Sequence, residues 1–285
     1  VGAGKKTMTT LALPGVWKSA WRDLAGLFTR HRQLTIEMAR RELSDRYQGQ
    51  VLGLGWAILH PVILLTVYVF IFAYVFKIRI GDSANTPLNY TAYLLAGLIP
   101  WLTFQESLAK SSTVILGNAN LVKQVIFPIE VLPVKGVLAS LATQTIFLAA
   151  LAVYTLVTFQ FLPWTYLLLP VLIAIQALFM IGLAFFVAAI SVYFRDIKDV
   201  VQVFGVTGVY LIPAFYLPEF VPALFRPMLY ANPVSYLIWC YQDLLFYGRL
   251  EHWWAWLVFP AISVTVFYLG HRTFNVLRTT FGNVL

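Results

Sequence analysis

Val62-Ile63-Leu64-Leu65-Thr66-Val67-Tyr68-Val69-Phe70-Ile71-Phe72-Ala73-Tyr74-Val75-Phe76 carries no charge across its whole length. A strand of a transmembrane barrel alternates apolar and polar side chains over about ten residues. This run does not alternate. Lipid offers no partner to a bare N–H or C=O, so a continuous apolar segment has to satisfy its backbone internally, as a helix. Extended back to Gly55, the run is long enough to cross about 30 Å of hydrocarbon at 1.5 Å per residue. It predicts a first transmembrane helix over about 55–76.

Further apolar stretches recur along the 285 residues. They predict spans at about 90–112, 134–161, 166–193, 200–217 and 253–269, six in all. Between the last two, residues 219–248 hold Pro222, Pro227, Pro233 and scattered charges, with two apolar pieces each too short to cross alone. This segment reads as a re-entrant helical hairpin, tolerated at membrane depth only when buried in protein or lining a cavity. The fold class expected is an all-α membrane protein. Residues 1–53 form a cytoplasmic N-terminal segment that includes an amphipathic helix at the interface, and 54–285 form the transmembrane domain.

Composition agrees: 60% of residues are hydrophobic and 11% charged, against roughly 25% charged in a soluble domain. The net charge of +8 does not mark a nucleic-acid partner, because the cations follow topology. With six spans both termini share a side. Sixteen Lys and Arg then fall on that side, nine of them within residues 1–53, while Lys77, Arg79, Arg226 and Arg249 fall on the other. Positive charge marks the inside, so both termini are expected in the cytoplasm. No cleaved signal peptide is expected at the N-terminus.

Little in the chain suggests enzyme chemistry. Gly2-Ala3-Gly4-Lys5-Lys6-Thr7 departs from the phosphate-binding loop in spacing and context, so any ATP and Mg²⁺ are expected in a separate subunit. His31, His60, His252 and His271 lack metal-ligand spacing, and the single Cys240 cannot contribute to a thiolate cluster. No cofactor or metal is expected in this chain. The glycosylation-like Asn89-Tyr90-Thr91 abuts a span and reads as chance.

Four features remain. Glu106 and Lys110, at i and i+4 in the second span, suit an ion pair; either they serve a function inside the membrane or they lie near its cytoplasmic end, where Lys reaches water. Tyr68, Phe72, Trp101, Tyr210, Phe215 and Tyr216 are candidates to line a channel, since rings with a polar edge stack on sugar faces. Tyr68 and Phe72 share one helix face, whereas Phe70 and Tyr74 occupy nearly the opposite one. Residues 118–128 offer an Asn118 cap, a short helix with an apolar face, and Pro128 as a stop, an arrangement suited to a partner's groove. Tyr193 to Val200 is a second, shorter cytoplasmic candidate.

Several motifs in order carry a resemblance: Arg41-Glu42-Leu43-Ser44-Asp45-Arg46-Tyr47, Leu52-Gly53-Leu54-Gly55-Trp56 with Pro61, Gly97-Leu98-Ile99-Pro100-Trp101, residues 118–128 continuing into Glu130-Val131-Leu132-Pro133, Tyr193-Phe194-Arg195-Asp196, and Asn232-Pro233. From about Leu34 onward the chain resembles the permeases of ABC-2 polysaccharide exporters, the O-antigen, capsule and teichoic-acid group. The resemblance implies a homodimer in the bacterial inner membrane, bound to two copies of a nucleotide-binding ATPase subunit and carrying a glycan on undecaprenyl pyrophosphate. It implies ATPase coupling through Asn118, Leu121, Val122, Lys123 and Phe127, with Arg195 and Asp196 in the second loop. Arg40, Arg41 and Arg46 are the residues expected to meet the pyrophosphate, since guanidinium groups match phosphate oxygens in pairs. An ABC-2 exporter of drugs or small lipids, a channel or scaffold without an ATPase, and a membrane glycosyltransferase are the competing readings.

Overall fold

In the computed structural model, residues 14–46, 48–75, 89–123 and 127–284 are described. Gly2 to Thr7, Tyr47, Lys77, Arg79, the polar connection through Pro87 and the middle of the 118–128 segment lie outside them. Every regular element among the described residues is helical. Two helices precede the apolar region, α1 (Pro14–Phe28) and α2 (Arg32–Asp45). Then come α3 (Trp56–Val69), which widens into a π-helical turn at Phe70–Val75, and α4 (Tyr90–Ser111). They are followed by α5 (Val131–Phe159), α6 (Leu169–Ser191), α7 (Ile197–Thr207), α8 (Pro233–Gln242) and α9 (Ala255–Leu277).

Among the described residues, three helical stretches are long and apolar enough to cross a membrane: Val131–Phe159, Trp164–Ser191 and Ala255–Thr280. The chain is a multi-pass membrane protein. Trp56–Phe72 is apolar but shorter. α7 ends sooner than the sequence suggests; it tightens into a 3-10 turn at Gly208–Leu211 and stops before Pro213, not at Leu217. The cause is local, since Pro213 has no N–H to continue the ladder. α9 runs two turns beyond the expected 269, through His271 and Arg272, because helix geometry outlasts the apolar pattern there.

Helix packing uses small residues as membrane proteins do. α6 and α9 meet backbone to backbone at Gly182 and Gly270, where neither position has room for a methyl group. α7 and the turn that follows it rest on α4 through side chains, with Gly205 against the Gln105 side chain and Gly208 against the Trp101 ring. One fully buried polar knot joins α5, α6 and α8. Gln144 Nε2 donates to Gln176 Oε1 at 2.9 Å and to the Tyr241 hydroxyl at 2.6 Å. Gln176 Nε2 donates back to Gln144 Oε1 at 2.9 Å, and the Tyr241 hydroxyl donates to Gln176 Oε1 at 2.5 Å. Each amide thus finds partners where lipid would supply none.

The proline-rich segment folds as short pieces: Pro218–Phe220, Arg226–Ala231, then α8 and a π turn at Asp243–Tyr247. α8 is buried from Leu237 to Gln242. Asn232 caps it, accepting from Val234 N at 3.0 Å. The fully buried Asp243 carboxylate is held by His252 N at 3.0 Å, His252 Nδ1 at 2.8 Å and Trp256 Nε1 at 3.1 Å. Those contacts fasten the far end of the segment to the start of α9.

Candidate functional site

α2 is fixed to the apolar body by charge as well as packing. Thr35 and Ala39 are buried, and Leu34 and Met38 pack on the core. Beyond them runs a chain of alternating charges. Lys135 Nζ on α5 lies 3.1 Å from Glu42 Oε2, and Lys110 Nζ on α4 lies 3.9 Å from Glu42 Oε1. Lys110 Nζ is also 3.0 Å from Glu106 Oε1, which Arg46 Nη2 approaches to 3.1 Å. The pair read from sequence therefore forms, as two links of a longer chain. Glu42 and Lys135 escaped the sequence reading because no helical spacing connects α2 to α5; only the folded arrangement does.

Two clefts flank this chain. One of about 210 Å³ is lined by Glu42, Lys110, Lys135, Ser111, Thr113 and Asn118, among others. The other, of about 380 Å³, is lined by Arg46, Gln50, Trp56 and His60. Of the three arginines expected to meet phosphate, Arg46 borders a cleft. Arg40 and Arg41 project into solvent, and Arg41 makes an exposed pair with Asp45 at 3.5 Å. Such a pair contributes little.

The 118–128 segment differs in its details from the sequence reading. Its helix is a single turn, Ala119–Val122. The Asn118 side chain does not cap it; its Nδ2 donates backward to Val114 O at 2.7 Å. Val122 is buried, and Leu121 and Phe127 pack against the chain's own core. The apolar side chains of the described part of the segment thus lean on the protein's own core. Among the described residues from 117 to 128, Gly117, Asn120 and Lys123 are the exposed positions. In the second loop Phe194, Arg195 and Asp196 are all exposed.

Five of the six aromatic candidates gather around one end of α4. Tyr68 stacks on Phe72 at 6.1 Å, and Phe72 meets Tyr90 at 5.7 Å. The Tyr90 hydroxyl donates to Phe215 O at 2.7 Å, and Phe215 stacks on Tyr210 at 5.8 Å. The Tyr216 hydroxyl donates to Tyr210 O at 2.9 Å. Trp101 stands apart, 1% exposed, wedged against Phe104, Phe204 and Gly208. Phe70 and Tyr74, on the other face of the first span, are 60% and 67% exposed.

No group of three or more His, Cys, Asp or Glu among the described residues is arranged to hold a metal ion. Comparison with known proteins matches residues 33–246 to the family described as ABC-2 type transporter. The chain is 30% identical over 254 residues to an O-antigen export system permease protein RfbA of Myxococcus xanthus, covering 88% of this chain and 95% of that one. It is 28% identical over 257 residues, with the same coverage, to a protein of the same description from Klebsiella pneumoniae.

Proposed function

The chain belongs to the ABC-2 type transporter family, and from that premise we propose that it is the permease subunit of an ATP-driven exporter of undecaprenyl-pyrophosphate-linked polysaccharide, an O-antigen. Two relatives that match it nearly end to end are named as O-antigen export permeases, and this observation carries the reading. Teichoic-acid or capsule export by the same architecture, and export of drugs or small lipids, are the alternatives. Two copies sit in the bacterial inner membrane with both termini in the cytoplasm, each bound to one nucleotide-binding subunit that holds ATP and Mg²⁺. Each copy has six spans, with 219–248 as a re-entrant hairpin. In support, Asn232 caps a buried helix whose other end is fastened beside the start of α9.

Arg46 would receive the pyrophosphate at the cleft it shares with Gln50, Trp56 and His60; Arg40 and Arg41, exposed on α2, would collect the headgroup from the interface. Tyr68, Phe72, Tyr210, Phe215 and Tyr216 would offer repeated weak stacking to a passing glycan, and Trp101 would hold α7 against α4. Asn118, Leu121, Val122, Lys123 and Phe127 would form the first contact region for the ATPase, and Arg195 with Asp196 the second. Within the first, Lys123 would face the partner while Leu121 and Phe127 keep the loop in shape.

The test is ATP hydrolysis by the chain co-purified with its ATPase, with and without lipid-linked O-antigen. Stimulation by the glycolipid, and loss of ATPase binding in Lys123→Glu with the fold intact, are expected. Stimulation by small amphiphiles in place of the glycolipid would move the drug and small-lipid reading forward; failure to bind any ATPase would overturn the exporter.

A further inference from the structure

The stretch after α9 is held at several points. It forms a 3-10 turn, Arg278–Thr280, and a final helical turn, Phe281–Val284. Phe281 is fully buried, with its ring 5.6 Å from Phe274 and 6.5 Å from Tyr193. The Arg278 guanidinium forms an ion pair with Glu130, the residue that ends the first cytoplasmic loop and leads into α5. The Tyr193 hydroxyl, at the start of the second loop, donates to Leu277 O at 3.3 Å and shares a hydrogen bond with the Thr280 hydroxyl.

These contacts place the tail between two loops that are far apart in sequence. Among the described residues, no hydrogen bond or ion pair joins 117–130 directly to 193–199. The connection runs Glu130 to Arg278, along one turn of backbone to Thr280, and on to Tyr193. We propose that the tail 278–284 is a brace that makes the two cytoplasmic loops move together, with Arg278 and Tyr193 as its positioning residues. The inference deepens the exporter reading and rests on it for the purpose of the brace. A push delivered to one loop alone would otherwise be absorbed by local bending. With the brace intact, the displacement of the first loop is imposed on the second, and so on the base of α7.

The contacts predict a pattern that ordinary fold damage would not give. Arg278→Glu sets two carboxylates against each other, Glu130→Arg sets two guanidinium groups against each other, and the double exchange restores an opposite pair. The assay is transport of lipid-linked glycan per ATP hydrolysed, by the intact complex in proteoliposomes. Each single exchange is expected to lower that ratio at least about fivefold, the lower end of typical coupling between two sites. Hydrolysis and subunit assembly are expected to persist, and the double exchange to recover the ratio. An unchanged ratio in the single variants, or no recovery in the double one, would overturn the brace.

A second readout needs no ATPase. Spin labels on Lys123→Cys and Lys198→Cys report the separation of the loops in the purified chain, with Cys240 buried out of reach. Arg278→Glu is expected to broaden that distance distribution and the double exchange to narrow it again. A distribution indifferent to Arg278 removes the brace whatever the chain transports. A responsive distribution, together with an unlabelled chain with Lys123 intact that binds no ATPase, keeps the brace and removes the exporter reading.

Discussion

Glu42 is the residue on which the seating of α2 depends. Its carboxylate stands between Lys110 and Lys135, which belong to different helices; without it Lys135 would lose the carboxylate 3.1 Å away, while Lys110 would keep Glu106. Glu42→Ala is expected to lower stability by about 1–2 kcal/mol, less than for a fully buried pair because the site keeps some water. Thermal unfolding in detergent measures that loss. Limited trypsin digestion should show earlier cleavage at the exposed Arg40 and Arg41 as α2 lifts; unchanged digestion would mean that packing through Thr35 and Ala39 seats the helix alone. Sequence spacing reached one of the four ion pairs in this arrangement. Glu106 and Lys110 are one helical turn apart and can be paired by counting, whereas Glu42 and Lys135 are 93 positions apart and only tertiary structure brings them together. The same limit applies to Leu121 and Phe127. Their apolar character is plain in the sequence, but whether a short amphipathic turn faces a partner or its own protein depends on what lies beneath it.

Among the elements, the closest seam is between α6 and α9. Gly182 and Gly270 let two backbones approach with nothing between them, and a side chain at either position meets main-chain atoms that cannot turn aside. Gly182→Leu is expected to cost at least the 1–3 kcal/mol typical of overpacking, about that or more because backbone must shift. Folded yield from the membrane and the midpoint of thermal unfolding measure it, and a wild-type midpoint would show that the helices are free to separate. The helices themselves were largely legible, since apolar length and bounding charges are local properties. Their ends were less so. α7 stops at a proline that apolar counting passes over, and α9 continues beneath polar residues because α1 covers it: Asp23 lies 3.2 Å from His271, and Trp21 is 5.5 Å from Phe267.

At the scale of the whole molecule, the ridge of α7 is one of the exposed apolar surfaces among the described residues. Val200, Val203, Val206 and Tyr210 are each more than 60% exposed, while Gly205 and Gly208 turn inward to α4. In the proposed homodimer this ridge would be the face that meets the second copy. Val203→Glu would bring a carboxylate into that contact at a cost of about 2.5–3.5 kcal/mol at membrane depth. The expected result is a complex whose measured mass falls from two permease copies to one. A mass that stays at two copies would assign the ridge to lipid and the contact to another helix.

The Gln144, Gln176 and Tyr241 knot has a bearing on motion as well as on folding. Opening it in hydrocarbon would strand several donors and acceptors at once, with no water to receive them. On the exporter reading, α5, α6 and α8 would be the stator of this machine, the part that stays still so that others can be displaced against it. On that reading, the working stroke would fall to α3 and α7, which lie outside the knot and border the aromatic cluster, and the passage for cargo would widen by peeling its wall away from a fixed post.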